Sequence, residues 1–380
     1  NNKSFVNQSS SKTIIDTKQL SQGNYTIDSQ NPIKVHGKVG FGVKTYDFLN
    51  KSSNWCGVYT IELQVDSVPV YRHKIDEFAF QNTRYINSLI DFEEKQKNKA
   101  TIQQLFLQPN NNLNIYEFVK NNGIVHFEGD STHWVQIKIT DAYGNSSKLS
   151  FQVQSNSFNK KDSIPTPEYT SVFPYNTENK FYNDHIKIDI PANSLYDTLY
   201  FDYTRRETEN KAFYSDIHQV HNRYTPVHKY FSLSLKTREI NPSLKEKVFI
   251  ARIEEEDEYK FEGGEIVNGF ITTKVREFGD YVIMCDTVNP TIQPVSNKNL
   301  VEENGKIVLR VEDDLSGIDS YNGFIDGQWV LFEYDEKNNL IFHKLEDGPV
   351  NSPGIHEIEL YVGDKMNNIA TYYNQFKIKQ

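Results

Sequence analysis

Of 380 residues only 2 are cysteine, 2 are methionine and 3 are tryptophan. Two cysteines cannot build a disulfide framework. Cys56 and Cys285 also fall in segments expected to fold separately, so no bridge between them is expected. No stretch approaches the 18 or so apolar residues that a membrane-spanning helix needs. Positive charge is in short supply: 41 Lys and Arg face 51 Asp and Glu, a net charge of -10. That balance disfavours a nucleic-acid partner. The G-x-x-x-x-G-K-[ST] phosphate loop, the G-x-S-x-G nucleophile turn and the H-x-H zinc pair are all missing from the sequence. The chain opens at Asn1 with no basic stretch leading into an apolar one. No signal peptide is read there, and the sequence reads as a mature form or a piece of a longer chain.

What is present is aromatic and strand-forming. Tyr (23) and Phe (24) bring the aromatic share to 13%, too high for a disordered chain. Abundant Asn, Tyr, Ile and Ser suit short strands joined by Asn-rich turns. The length is a prior for two to three domains of about 150 residues.

Two stretches resemble each other. Val39-Gly-Phe-Gly-Val-Lys-Thr-Tyr-Asp47, an Asn-rich turn and Gly57-Val-Tyr-Thr-Ile-Glu-Leu-Gln-Val-Asp66 open the first. Lys306-Ile-Val-Leu-Arg-Val-Glu-Asp-Asp314, a turn and Asn322-Gly-Phe-Ile-Asp-Gly-Gln-Trp329 open the second. Each closes on a strand, an Asp turn and a strand: Trp134 to Asn145 with Lys148 to Val153, and His356 to Asn368 with the strand that begins at Ile369. Alternating apolar and polar residues on both sides of an Asx turn predict hairpins. Asp47 and Asp141 lie 94 residues apart, Asp314 and Asp364 only 50, so the first copy carries an insertion, read as 71–128. Within it, Asn82 to Phe106 has the strongest helical character, with Ile86, Leu89 and Ile90 near helical spacing. Such an insert caps a sheet edge or projects toward a partner.

Between the copies, Pro165 and Pro167 mark the start of a different region and Asn289-Pro290 its end. Its regular short strands predict a further sandwich. The expected organisation is a lead-in over 1–22, an immunoglobulin-like sandwich over 23–156, a sandwich over 166–287 and an immunoglobulin-like sandwich over 291–380. The fold class is all-β: tandem β-sandwich domains, immunoglobulin-like at both ends, with a short helical insertion in the first.

The candidate chemistry is sparse. His218 and His221 form an H-x-x-H pair with His228 downstream, but on a strand i and i+3 face opposite sides. His185 and Asp189 read H-x-x-x-D, which alone supplies two ligands and needs a third. The acidic turns offer more. Asp313, Asp314 and Asp319 can meet Asp364 at one end of a sandwich, where carboxylates and carbonyls suit calcium. The competing reading is that these residues only form Asx turns. Glu254 to Glu258 is an acidic run read as a solvated loop. Cys56 is a nucleophile only with a His and an orienting group beside it, and otherwise a small buried thiol. Trp55, Trp134 and Trp329 can stack on sugars, although Trp134 and Trp329 sit in strand patterns where core packing is the default.

Several strings together resemble one family. They are Asn54-Trp-Cys-Gly-Val-Tyr-Thr-Ile-Glu-Leu, Phe80-Gln-Asn-Thr-Arg-Tyr-Ile-Asn87, Asp91-Phe-Glu-Glu, Thr225-Pro-Val-His228, Gly269-Phe-Ile-Thr-Thr-Lys-Val-Arg276 and Asp313-Asp-Leu-Ser-Gly-Ile-Asp319. The sequence is similar to the long C-terminal accessory region of secreted lysostaphin-type (LytM-like) zinc metallopeptidases of Gram-negative bacteria. In that family a catalytic domain comes first, holds zinc through one H-x-x-x-D and one H-x-H motif, and cuts peptidoglycan cross-links. That domain is not in this sequence, and His185 and Asp189 lie in the accessory part, so no catalytic residue carries over. The resemblance implies an extracytoplasmic place, in the periplasm or at the outer membrane.

The expectation is therefore a non-catalytic module of a cell-envelope protein, holding no cofactor unless the acidic turns bind structural calcium. Its partner would be an envelope complex or its own upstream peptidase domain. The alternatives are a part of an active cell-wall zinc endopeptidase and a peptidoglycan- or glycan-binding module.

Overall fold

The computed structural model describes residues 4–378 apart from 8, 10, 30, 49–53, 78, 157–167, 256, 297–299, 303–304, 349 and 351. Pro165 and Pro167, part of the lead-in and one residue of the acidic run lie outside the described residues. The chain is built of tandem β-sandwiches, immunoglobulin-like at both ends, and among the described residues its α-helices are confined to a short insertion.

The first unit is organised on the hairpin Thr132–Thr140 and Ser146–Ser155, paired over nine positions from Thr132↔Gln154 to Thr140↔Ser146. Alternation dictates its facing: Val135 and Ile137 point inward and are buried, while Trp134 and Lys138 point out. Thr60–Val65 pairs along Thr132–Thr140, and Val68–Lys74 pairs along Thr60–Val65. The strand Ile33–Val39 runs parallel to Ser146–Ser155 at its start and turns its other end to Val125–Phe127. Val35, Ile61, Leu63, Tyr71, Phe127 and Val153 fill the core.

The middle unit packs two five-stranded sheets. One contains Ile186–Ile190, Phe231–Lys236 and Phe270–Val275. The other contains Tyr203–Arg206, Ile217–Val220, Gly279–Cys285 and Val248–Glu255. Phe201, Phe231 and Phe278 lie between them with Ile and Leu side chains. Of the acidic run, Glu254 and Glu255 end the strand Val248–Glu255 and Glu258 begins its antiparallel partner Glu258–Gly263. The third unit packs two four-stranded sheets, one of them ordered Gln328–Val330, Ile318–Ile325, Gly354–Asp364, Ile369–Ile378.

The outer units share a staple that sharpens the repeat seen in sequence. In the first, Asp66 sits at φ 49 in a hairpin turn. Its carboxylate accepts from Trp134 N (2.8 Å) and from His133 Nδ1 (2.7 Å). In the third, Asp326 sits at φ 50 and accepts from Glu357 N (2.9 Å) and His356 Nδ1 (2.7 Å). Eight residues after each His comes the closing Asx turn, where Asn145 binds Asp141 and Asn368 binds Asp364 through both backbone and side chain. Asp66 thus corresponds to Asp326.

The insertion differs from its expected form. Val68–Lys74, Tyr116–Val119 and Val125–Phe127, all inside or overlapping 71–128, are sheet strands of the first unit. The helical stretch also stops early. Phe92–Asn98 is capped by Asp91, which accepts from Glu94 N, and ended by Lys99 at φ 54; Ile102–Gln104 is already a strand on Gly42–Lys44. The helical part packs Leu89 against Ile115 and Tyr116 at the edge of its own sheet, and it also reaches the middle unit. Arg84 donates to Val227 O (2.9 Å) and Arg276 O (3.2 Å) of the middle unit. Tyr196 OH donates back to Arg84 O (2.7 Å), and Tyr85 stacks on His228 at 4.1 Å. Asn110, buried, donates to Leu195 O (2.7 Å) and Asn193 O (3.1 Å).

Candidate metal centre at the second joint

The third unit docks on the middle unit through the two loops at its base. Met366, in the Asx turn Asp364–Asn368, is buried among Phe213, Phe249, Val282 and Met284 of the middle unit, with Leu315 beside it. Lys247 Nζ donates to Met366 O (2.6 Å), and Asn368 Nδ2 donates to Asp286 O (3.1 Å). The turn's apolar residue is what the sheet face accepts; the polar groups around it are all partnered.

Three carboxylates meet in this joint. Asp286, Asp313 and Asp364 each bring an oxygen within 4.8 Å of the others. Asp286 and Asp364 are 1% and 2% exposed, and Asp313 is half-buried. Asp286 Oδ2 accepts from Ser316 Oγ (2.6 Å) and Ser316 N (3.2 Å). Asp313 Oδ1 accepts from Gly317 N (2.6 Å) and Leu315 N (3.2 Å), and Asp364 Oδ1 from Met366 N and Asn368 N (both 2.8 Å). Among the described residues no Lys or Arg forms an ion pair with any of the three. Burial pushes the Asp313 carboxyl up; the Gly317 N–H opposes this, and the charges of Asp286 and Asp364 add to it. Buried carboxylates that share a space want neutralisation, and a hard cation with oxygen ligands supplies it. The donors present, three carboxylates with the Ser316 hydroxyl, fit such a cation.

Two of the four acidic residues singled out in sequence therefore come together. The other two do not: Asp314 and Asp319 are exposed and outside the cluster. Asp286 was missed. Its signal is positional, an Asp directly after the last strand of the middle unit, Gly279–Cys285, and three residues before Asn289-Pro290.

The histidine motifs are taken apart by the fold. His218 Nδ1 meets Tyr203 OH (2.9 Å), His221 Nε2 meets Thr225 Oγ1 (3.0 Å) and His228 Nδ1 meets Tyr196 OH (3.1 Å). His185 Nε2 accepts from Arg205 Nη1 (2.5 Å), while Asp189 accepts from Tyr182 OH, so the H-x-x-x-D pair is split. Both cysteines are free. Burial, then the neighbouring Asp286, pushes the Cys285 thiol up, against nucleophilic use. The core expectation for Trp134 and Trp329 is corrected: they are 56% and 57% exposed, and Trp55 is 57% exposed. Trp134 and Trp329 each precede a buried Val and so face outward.

Comparison with known proteins reaches part of the chain. Residues 170–286 match the family model of the Zu5-like domain, under a third of the sequence. No curated protein matches. Among solved structures the chain is similar to the Bacteroides ovatus mixed-linkage glucan utilization locus protein SGBP-B, in complex with a heptasaccharide. Identity there is 10%, coverage 99% of this chain and 70% of that one, TM-score 0.16. It is also similar to the central fibronectin-III array of RIM-binding protein, at 10% identity, 89% and 96% coverage and TM-score 0.17. The human desmocollin-1 ectodomain matches at 12% identity, 71% and 48% coverage and TM-score 0.18. Superposition this loose carries no argument about function, so what the comparisons identify is the middle unit, residues 170–286, as a match to the Zu5-like domain.

Proposed function

We propose that the chain is a non-catalytic scaffold of a cell-envelope protein that holds a protein partner, or a peptidase domain of the lysostaphin type, in a set position. The observation that carries this reading is the pair of joints. Arg84, Tyr85 and Asn110 lock the first unit to the second, and Met366, Lys247 and Asn368 lock the third to the second. Their buried polar groups are paired across the units, and leaving any one unpaired costs about 1–3 kcal/mol. A chain that only tethered a partner would not need such joints. The resemblance to the accessory region of LytM-like peptidases supports the envelope location. A calcium ion on Asp286, Asp313 and Asp364 belongs to the same reading, as a stiffener of the second joint.

The test is functional and spatial. The tagged chain should fractionate with the envelope, and the isolated chain should leave purified peptidoglycan uncut. A cytoplasmic location or cleavage of cross-links by this chain would overturn the proposal.

A second reading is favoured by the exposed aromatics. On the outer face of the third unit Trp329 lies opposite Phe324, Phe324 opposite Glu359, and Glu359 opposite Tyr373. Aromatic faces can stack on sugar rings. If this face binds glycan, sedimentation with peptidoglycan should fall for Trp329→Ala while Trp134→Ala, in another unit, changes nothing; absence of sedimentation by the unaltered chain would remove the reading.

A further inference from the structure

We propose that a cavity in the middle unit binds a compact oxyanion, a carboxylate or phosphate group carried by a small molecule or a chain end. The cavity has a volume of about 210 Å³ and opens between the two sheets, lined by His185, Asp216, His218, Lys236 and Arg238 with Ser215 and Thr237. Ile186–Ile190 and Phe231–Lys236 deliver His185 and Lys236 side by side, joined by Lys236 N to His185 O at 2.9 Å. The facing sheet delivers His218, with Arg205 paired opposite it.

The hydrogen-bond pattern fixes which nitrogens carry protons. Arg205 can only donate, so His185 Nε2 is an acceptor and the His185 proton sits on Nδ1. Asn183 Oδ1 accepts from His185 N and Ile186 N, which leaves the Asn183 amide nitrogen to donate to the Tyr203 oxygen. The Tyr203 hydroxyl then donates to His218 Nδ1, and the His218 proton sits on Nε2. His218 is 1% exposed, and burial lowers its pKa to about 4, with Asp216 opposing and His185 and Arg205 adding to the fall. His218 is thus neutral, and each ring has one N–H left to give.

Charge points the same way. Asp216 is the lining carboxylate, and its oxygens are taken by Arg238 Nη2 (2.7 Å) and Arg205 Nη1 (3.5 Å). Glu207 answers Arg205 from outside, at 81% exposure. Lys236 has no carboxylate partner among the described ion pairs. A recess with an uncompensated ammonium and two imidazole N–H groups favours an oxyanion through charge-assisted hydrogen bonds. It disfavours a zinc ion, which needs imidazole lone pairs and no neighbouring cations.

The experiment is calorimetric titration of the whole chain with inorganic phosphate and, separately, with acetate, at constant ionic strength held by chloride. Lys236 is exposed at the cavity rim, so Lys236→Met should fold normally. Lys229→Met, on the same unit away from the cavity, is the control. Saturable binding of one anion per chain is expected, weakened about tenfold by Lys236→Met, about 1.4 kcal/mol, and untouched by Lys229→Met. Binding of phosphate alone or acetate alone names the group recognised. The proposal fails if neither anion saturates, if Lys236→Met binds as the unaltered chain does, or if zinc binds stoichiometrically through His185 and His218.

Discussion

Arg252 of the middle unit is a buried cation among glutamates. It is 4% exposed and is ion-paired to Glu254 (2.6 Å), Glu262 (3.4 Å) and Glu277. Burial raises the Glu262 carboxyl, with Lys260 and Arg252 working against the rise. Removing the guanidinium leaves Glu262 buried with only Lys260 at 4.0 Å. Arg252→Ala is expected to cost about 3–5 kcal/mol in chemical unfolding, the range for breaking one side of a buried pair. Adding Glu262→Gln should recover part of that loss, and a double variant no better than the single one would contradict the account. The staple in the third unit makes a pH prediction. His356 is raised by its bond to Asp326 and by the Ser352 carbonyl, and Asp326 is lowered by the same His356 bond. A raised His stabilises below its unfolded value, near 6.5, and that gain goes as pH climbs past the folded value. A lowered Asp stabilises above its unfolded value, near 3.9, and loses this as pH falls past the folded value. The third unit should therefore melt higher at pH 6 than at pH 8. His356→Ala should flatten that difference.

At the scale of elements, the first joint depends on a few residues of the insertion. Asn110 is 5% exposed and satisfies two carbonyls of the middle unit. Asn110→Ala should raise hydrogen exchange around residues 84–110 and 193–196 while Val135 and Ile137 of the first core keep their protection. Loss of protection throughout would mean that the joint and the core are one cooperative unit. Strands were legible in the sequence because alternation at Thr132–Thr140 or Lys306–Glu312 is local. The repeat was legible because Asp turns recur at fixed offsets from strands. The insertion was not, because Tyr116–Val119 and Val125–Phe127 join the sheet through partners far away in sequence. Trp134 misled for a related reason: a strand pattern shows two faces and does not say which is the core. Of the candidate site, Asp313 and Asp364 were visible as turn residues, whereas Asp286 and the cavity around His218 exist only through contacts between strands distant in the chain.

At the scale of the molecule, the second joint couples charge to assembly. Asp313→Asn keeps an acceptor for Leu315 N and Gly317 N and removes one of three crowded charges. In chelator it is expected to melt at or above the unaltered chain. Calcium should raise the melting of the unaltered chain and leave Asp313→Asn nearly unmoved; equal responses in calorimetry would exclude a cation role for this trio. The strand pairings of the outer units also differ in how they would carry tension. The strand that enters the first core, Ile33–Val39, lies parallel to the strand that leaves it, Ser146–Ser155. Pulling the two apart lengthwise loads their hydrogen bonds together, in shear. The last strand, Ile369–Ile378, instead lies antiparallel to Gly354–Asp364, with Ile378 opposite Gly354. Tension applied at Ile378 opens that ladder one bond at a time, like a zipper. Single-molecule stretching should find the third unit yielding at lower force than the first, so that under load the assembly would lengthen from its far end while the first unit kept its shape.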